Sequence, residues 1–257
     1  MSVLSPRAGG KSPRAATLKI AVLQFCAKPD LEANFEICSK LIASVVEKGA
    51  QLICLPECFY FIGDGVKKSI DVSQELEDCE YIKQYQAIAA EHKVCLSLGG
   101  YPEKSPEFAQ GKVYNTHVII SPSGEISSRY RKIHLFDYPA GGLSESNFTT
   151  EGTELVTDRC VAEYFDNSFV LGLSVCYDLR FGGMYQCLRD MGANILLVPS
   201  AFTKETGHAH WEVLLRARAI ETQSFVIAAA QVGAHHYRRT SYGNSLIISI
   251  AIRILIK

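Results

Sequence analysis

The chain lacks several features that would define a class of protein. No run of about 18 uncharged apolar residues is present, so no segment is long enough to cross a bilayer as a helix. The formal net charge is only -1 and no basic stripe occurs, which gives no electrostatic reason to expect nucleic acid or an anionic membrane surface as a partner. Internal repeats and linkers are also absent, and 257 residues suffice for one large domain with a sizeable core.

The nine cysteines include no Cys-x-x-Cys pair, which argues against a zinc ribbon and a thioredoxin-type motif. An odd number of scattered thiols fits a reducing compartment, so we expect the cytoplasm, with the mitochondrion as the alternative. Two histidine pairs, His208 with His210 and His235 with His236, lack the helical spacing and the neighbouring ligands of a zinc site. We therefore predict no metal and no other cofactor.

The first acidic residue is Asp30, and residues 1–16 are rich in serine, proline and arginine. We predict that residues 1–16 are a disordered tail or a weak targeting segment, followed by one domain over residues 17–257. Within that domain, short apolar runs alternate with stretches of helical spacing, which indicates an α/β fold with some antiparallel pairing. The predicted strands cover residues 18–25, 52–55, 94–98, 169–175, 194–198 and 224–231, and a β-hairpin covers residues 113–131.

One cysteine follows a buried strand directly. Cys176 comes after the apolar run 169–175, and Asp178 is placed to cap a helix through Met184 and Leu188. We expect the positive end of that helix to lower the thiol pKa and favour the nucleophilic thiolate. A buried structural cysteine is the alternative.

Two further reactive groups follow predicted strands, Glu57 after residues 52–55 and Lys132 after Arg131. Loops at the carboxyl ends of strands in α/β sheets converge on one crevice, so a carboxylate, an ammonium and the Cys176 thiol are expected to meet there. Glu57 would take the thiol proton, Cys176 would attack a carbon, and Lys132 would stabilise an oxyanion. Alternatively, Glu57 and Lys132 are ordinary solvated charges.

Three blocks around these residues resemble the signatures of the nitrilase superfamily of carbon–nitrogen hydrolases. They are Leu55-Pro-Glu-Cys-Phe59, Tyr130-Arg-Lys-Ile-His-Leu-Phe-Asp137 and Val175-Cys-Tyr-Asp-Leu-Arg-Phe181. Other segments are similar to the Nit branch of the superfamily, closest to the deaminated-glutathione amidases. These are Tyr114-Asn-Thr-His-Val118, the stretch 207–221 and Tyr242-Gly-Asn-Ser245, and the resemblance runs from about 18 to 248.

The resemblance implies a four-layer α-β-β-α sandwich and amide hydrolysis through a cysteine thioester. Glu57, Lys132 and Cys176 would be the base, the lysine and the nucleophile of the family. Glu145 would orient Lys132 or a substrate amide, and the backbone N–H of Tyr177 would share the oxyanion with Lys132.

The sequence contains fewer signals for the residues that bind the substrate. Arg180, Phe202 and Thr203 flank the crevice by their order in the chain, and Arg180 is a candidate for binding a substrate carboxylate or, alternatively, a structural ion-pair partner. The expected activity is hydrolysis of a small carboxylate-bearing amide with release of ammonia, and deaminated glutathione is the preferred substrate. The alternatives are an ω-amidase, a carbamoylase, or a truncated non-catalytic paralogue acting as a binding module. The family resemblance also implies a homodimer.

The last residues depart from the family pattern. After Ile248 the chain continues as Ser249-Ile-Ala-Ile-Arg-Ile-Leu-Ile-Lys257, without the turn and strand that the family usually has. We read this as a truncated or divergent C-terminus. We expect it to leave an unpaired sheet edge and to lower the stability of the fold.

Overall fold

The structure is a computed structural model, and it describes residues 17–138, 143–165, 168–249 and 254–256. The predicted tail at residues 1–16 lies outside the described residues. The first half of the chain forms a five-stranded sheet whose order follows the sequence. Its strands are β1 (Ile20–Val22), β2 (Leu52–Leu55), β3 (Cys95–Lys104), β4 (Val113–Ile120) and β5 (Ile126–Arg131). The first three are parallel, and β3, β4 and β5 pair antiparallel, which confirms the predicted hairpin.

The second sheet has six strands in the order β15, β14, β11, β10, β9, β8, and its central strands β9, β10 and β11 are parallel. Two small pairs, β6 with β7 and β12 with β13, lie outside the main sheets. The strands of this half are β6 (Asp137–Tyr138), β7 (Leu143–Ser144), β8 (Thr157–Asp158), β9 (Leu171–Leu173), β10 (Ile195–Leu197), β11 (Phe225–Ala228), β12 (Val232–His236), β13 (Arg239–Tyr242), β14 (Leu246–Ile248) and β15 (Ile254–Ile256).

Six α-helices lie in the described part of the chain. They are α1 (Leu31–Val46), α2 (Val66–Asp71), α3 (Glu80–His92), α4 (Cys160–Phe165), α5 (Gly182–Asp190) and α6 (Lys204–Thr222). Asp30 caps α1, and its carboxylate accepts the backbone N–H of Ala33 at 3.0 Å. Gly49 follows this helix with φ +80°, a conformation that favours glycine.

Strand β2 shows how the layers form. All four of its residues are buried, and successive side chains point to opposite faces. Leu52 and Cys54 pack in the core shared with the second sheet, whereas Ile53 and Leu55 pack in the core shared with α1 and α3. The other core also contains side chains of α5 and α6, so helices cover both sheets. These layers confirm the predicted α-β-β-α sandwich.

The C-terminal edge differs from the expectation. Strand β14 pairs antiparallel with β15, through Ile247 with Ile256 and Ile248 with Ile254. The expected unpaired sheet edge therefore does not lie at β14, because β15 pairs with it and is itself the outermost strand of the sheet.

The two sheets approach each other closely where the strands end. A Cβ on Gly99 would lie 2.1 Å from the Cβ of Pro199, so only glycine allows this contact. The next residue, Gly100, has φ +68°, and a Cβ there would lie 2.7 Å from Cγ of Glu57. Both glycines sit at a register shift of β3, between Leu98 and Tyr101. The bulge therefore makes the room in which the Glu57 side chain lies.

Candidate active site

Cys176 lies at a sharp turn between the second sheet and a 3₁₀ turn that covers Cys176–Arg180. Its φ of +48° is unusual for a residue other than glycine, and this kind of strain is typical of functional sites. Its backbone N–H donates to the carbonyl oxygen of Pro199 at 2.9 Å, which ties the turn to the strand end of β10. The thiol is thereby held at the ends of the strands.

The expectation that Asp178 caps the helix through Met184 and Leu188 is wrong. Asp178 is fully buried inside the 3₁₀ turn, and α5 begins only at Gly182. Its carboxylate accepts the Val175 backbone N–H at 2.8 Å, the Tyr130 hydroxyl at 2.7 Å and the His134 backbone N–H at 3.0 Å. The carboxylate fixes the shape of the cysteine turn, because donors from the turn itself, from the distant strand β5 and from the loop after β5 converge on it.

Glu57 and Lys132 meet beside this turn. Glu57 is 5% exposed and Lys132 is 2% exposed, and Lys132 Nζ lies 3.5 Å from Glu57 Oε1. The Cys176 thiol and the Glu57 carboxylate are within interaction range of each other. The structure thus brings the three side chains together.

Glu145 holds the lysine more tightly than Glu57 does. Lys132 Nζ donates to both Glu145 carboxylate oxygens, at 3.0 and 2.8 Å. The backbone N–H of Phe136 also donates to Glu145, at 2.7 Å. The cluster therefore contains two carboxylates and one ammonium, and it carries an excess negative charge while the thiol keeps its proton.

Burial raises the pKa of the Cys176 thiol well above its ordinary value, and the charge of Glu57 adds to that rise. The expected lowering of this pKa is wrong, because burial and the neighbouring carboxylate act more strongly than the turn and Lys132. Burial is the strongest single influence on Glu57 and raises its pKa, but Lys132, Cys176, Arg239 and Asn115 together outweigh burial and leave that pKa below its ordinary value. Burial lowers the pKa of Lys132, yet Glu145 and Glu57 hold it well above its ordinary value. The resting cluster is thus a thiol, two carboxylates and an ammonium.

Asn115 completes the cluster, and the sequence analysis did not single it out. Its Nδ2 donates to Glu57 Oε1 at 3.0 Å and lies 3.4 Å from Glu145 Oε1. Because Asn115 and Lys132 both hold Oε1 of Glu57, the other oxygen is left for the thiol. Asparagine is uncommon in strands, so its presence in β4 is a signal of a special role. The signal is weak, because the two partners of Asn115 are far away in sequence.

The proposed substrate residues lie along the same side of the fold. The Arg180 guanidinium lies 5.5 Å from the Tyr177 ring, 5.6 Å from the Phe202 ring, and 3.2 Å from His210 Nδ1. Among the residues described, Arg180 forms no ion pair with a carboxylate, so the structural ion-pair reading has no support there. Phe202 is buried against other side chains, and the Thr203 hydroxyl caps α6.

Two further predicted features can be located. The Tyr177 backbone N–H donates to no acceptor outside its own turn in the described part of the chain, so it is free to meet a ligand oxygen. Both ring nitrogens of His235 have partners, the Ala27 carbonyl oxygen and the Ser241 hydroxyl, each at 2.8 Å.

Across the described ranges, no three histidine, cysteine, aspartate or glutamate side chains are grouped as metal ligands. In the same ranges, no helix is long and apolar enough to cross a membrane.

A half-buried thiol beside a carboxylate and an ammonium, at the strand ends of an α-β-β-α sandwich, defines a class of hydrolase that forms covalent acyl intermediates. The carbon-nitrogen hydrolase family matches residues 19–257, and the chain belongs to that family. It is accordingly a hydrolase that acts on carbon–nitrogen bonds of amides, within the nitrilase superfamily.

Three relatives illustrate the similarity. Deaminated glutathione amidase of Dictyostelium discoideum is 45% identical over 90% of this chain and 79% of its own length. The structure of Caenorhabditis elegans NitFhit has 40% identity and a TM-score of 0.81, over 93% of this chain and 58% of its own. Saccharomyces cerevisiae Nit3 has 26% identity and a TM-score of 0.80, over 93% of this chain and 84% of its own.

Proposed function

We propose that this protein hydrolyses a small carboxylate-bearing amide through a thioester at Cys176, and that deaminated glutathione is its substrate. The observation that carries the proposal is the cluster of three buried charged side chains, Glu57, Lys132 and Glu145, beside the half-buried Cys176 thiol. The substrate assignment is supported by the amidase from Dictyostelium discoideum, whose name states that activity and which is 45% identical.

Attack begins with a coupled proton transfer. Cys176 Sγ forms a bond to the amide carbon while its proton passes to Glu57, because the thiol pKa is too high for a free thiolate to persist. The carbonyl oxygen becomes an oxyanion beside the Lys132 ammonium and the Tyr177 N–H. Each such donor is worth on the order of 3 kcal/mol in the transition state.

The carbon–nitrogen bond then breaks and Glu57 returns the proton to the departing nitrogen. The product is an amine and an acyl thioester on Cys176. Glu57, again a carboxylate, takes a proton from water, whose oxygen attacks the thioester carbon, and the acid leaves as the thiol regains a proton. Glu145 keeps Lys132 in position and compensates its charge throughout.

The leaving group separates the candidate substrates. The amide bonds of deaminated glutathione are both peptide-type, so their hydrolysis releases an amine-bearing fragment rather than ammonia. Ammonia is the product expected from the ω-amide of a 2-oxo acid or from a carbamoyl compound. The sequence-based expectation of ammonia therefore applies to the ω-amidase and carbamoylase alternatives.

The first experiment follows products from deaminated glutathione by mass spectrometry, with ammonia measured in parallel on a 2-oxo acid ω-amide. Cys176→Ser is the control, and its exposed counterpart is Cys187→Ser. We expect an amine-bearing fragment from the native protein and from Cys187→Ser only. Ammonia from the ω-amide with no reaction of deaminated glutathione would contradict the substrate assignment, and silence on every amide would favour the non-catalytic binding module.

A homodimer and a cytoplasmic or mitochondrial location belong to the same proposal, together with the single domain over residues 17–257. Sedimentation velocity at several concentrations tests the dimer. Fractionation of cells that express the full chain tests the location.

A further inference from the structure

Arg239 stands apart from the other shielded arginines of the described chain. Arg131 and Arg218 pair with glutamates, and Arg180 contacts His210. Arg239 is half-buried, yet it makes no hydrogen bond through its side chain and no ion pair with any described residue. A guanidinium has five N–H donors, so shielding one without a partner leaves a large unused capacity for binding an anion.

The hairpin that carries Arg239 is docked at the active-site end of the fold. Ser241 forms an antiparallel bridge with Thr203, and the Tyr242 backbone N–H donates to the Phe202 carbonyl oxygen at 3.0 Å. On its other side, His235 Nδ1 lies 2.8 Å from the Ala27 carbonyl oxygen. The hairpin is thus held between the loop that follows β1 and the residues that precede α6.

The charge of Arg239 reaches the catalytic cluster. Burial, which raises the pKa, and Lys132, which lowers it, dominate the titration of Glu57, and Arg239 also lowers that pKa. At Cys58, burial and Glu57 raise the pKa to about 12, and Arg239 opposes them. Arg239 lies two residues before the buried Ser241 in β13, so the two side chains leave the strand on the same, inward face. Its charge is close enough to act on Glu57 and Cys58, while Arg180 lies near Tyr177.

The charges of the catalytic cluster indicate what the Arg239 guanidinium can do. Two carboxylates against one ammonium would repel an acidic substrate at short range. A second cation within electrostatic range of Glu57 balances that charge and offers a fork that matches a carboxylate with two parallel hydrogen bonds. We propose that Arg239 binds a carboxylate of the substrate and thereby selects acidic amides, an inference that rests on the proposed amidase function.

The adjacent Arg238 provides a matched control. It is exposed, and its guanidinium lies 4.8 Å from the ring of Tyr237, which is 79% exposed. We expect Arg239→Gln to raise KM for deaminated glutathione about 10- to 100-fold, with kcat changed far less, because charge-assisted hydrogen bonds are lost. The same variant should leave kcat/KM for the dimethyl ester of that substrate nearly unchanged, and Arg238→Gln should change neither.

Equal losses on the acid and the ester would overturn the proposal, since they would mean that Arg239 acts through Glu57. An unchanged KM for the acid would overturn it as well. A native protein that ignores deaminated glutathione would instead defeat the substrate assignment, and a second measurement then still tests Arg239.

That measurement compares alkylation of Cys176 by iodoacetate and by iodoacetamide, which differ in charge. We expect Arg239→Gln to lower the ratio of the iodoacetate rate to the iodoacetamide rate by about tenfold, and Arg238→Gln to leave it unchanged. A ratio that stays the same in Arg239→Gln would count against anion binding at this position, whatever the natural substrate is.

Discussion

Two cation–carboxylate pairs lie one residue apart at the end of β5, and they have different roles. Arg131 binds Glu103 through two hydrogen bonds of 2.9 Å, while Lys132 binds Glu145 at 3.0 and 2.8 Å. Successive residues of a strand point to opposite faces, so the two cations leave the strand in different directions. Their carboxylates are 1% and 8% exposed, so both pairs lie at buried acids.

The pairs differ in what else the charges touch. Around Glu103 the carboxylate is held from several sides: Thr116 donates to it at 2.7 Å, and the Arg131 guanidinium that binds it lies 4.1 Å from the centre of the Tyr114 ring. Around Lys132 the charges are shared, because its ammonium also lies 3.5 Å from Glu57, the neighbour of the thiol. A closed pair stabilises a fold, whereas an ammonium shared by two carboxylates keeps a charge available to a reacting group.

The largest expected effect comes from removing the lysine. Lys132→Met should lower kcat by about a hundredfold or more, since an oxyanion donor worth roughly 3 kcal/mol is lost. Arg131→Met should retain most of the activity, because its pair faces away from the thiol. Steady-state kinetics on the amide substrate measures kcat for both variants. Comparable losses of kcat would contradict the assignment of a catalytic role to Lys132 and a structural role to Arg131.

Stability should follow the opposite order. Arg131→Met leaves Glu103 buried without its main partner, and we expect the free energy of unfolding to fall by about 2 kcal/mol, a value reduced because the Arg131 side chain is 39% exposed. Urea unfolding followed by circular dichroism measures the change. An Arg131→Met protein as stable as the native one would mean that solvent alone satisfies Glu103.

A smaller effect is expected on the acid limb of the activity. Asn115→Leu removes a donor that favours ionised Glu57, so the pKa of Glu57 should rise from its lowered value toward the ordinary range. As the pH falls, a base with a raised pKa becomes protonated sooner, at a higher pH. The acid limb of kcat/KM should therefore shift to higher pH. At neutral pH Glu57 stays ionised, and we expect kcat/KM to fall by roughly tenfold because the lost hydrogen bond no longer positions its carboxylate. An unshifted limb would show that Lys132 alone sets the ionisation of Glu57.

The sequence was sufficient to predict that Glu57, Lys132 and Cys176 lie close together. Apolar runs predict the strands before Glu57, Lys132 and Cys176, and the strand ends of an α/β fold bring such residues toward one another. The resemblance to a known family added Glu145, which stands in a segment of little periodicity. The structure brings these four side chains into one cluster.

Other features depend on partners that are distant in sequence. Asp178 has the local pattern of a helix cap, but hydroxyl and amide donors at Tyr130 and His134 draw it into the core. The thiol pKa depends on burial, which the tertiary fold determines. The pairing of β14 with β15 requires a register that no local signal fixes, and Arg239 becomes notable only once its lack of described partners is known.

The last prediction separates two neighbours on β4. Thr116 donates to Glu103 and Asn115 donates to Glu57, so the alternation of this strand divides them between the two pairs. Thr116→Val keeps the shape of the side chain and removes one buried hydrogen bond, and we expect the free energy of unfolding to fall by about 1 kcal/mol with an unchanged acid limb of kcat/KM. Urea unfolding and a pH–rate profile are the two measurements. A shift of the acid limb in Thr116→Val like that expected of Asn115→Leu would mean that the closed pair and the reactive cluster are electrostatically one unit.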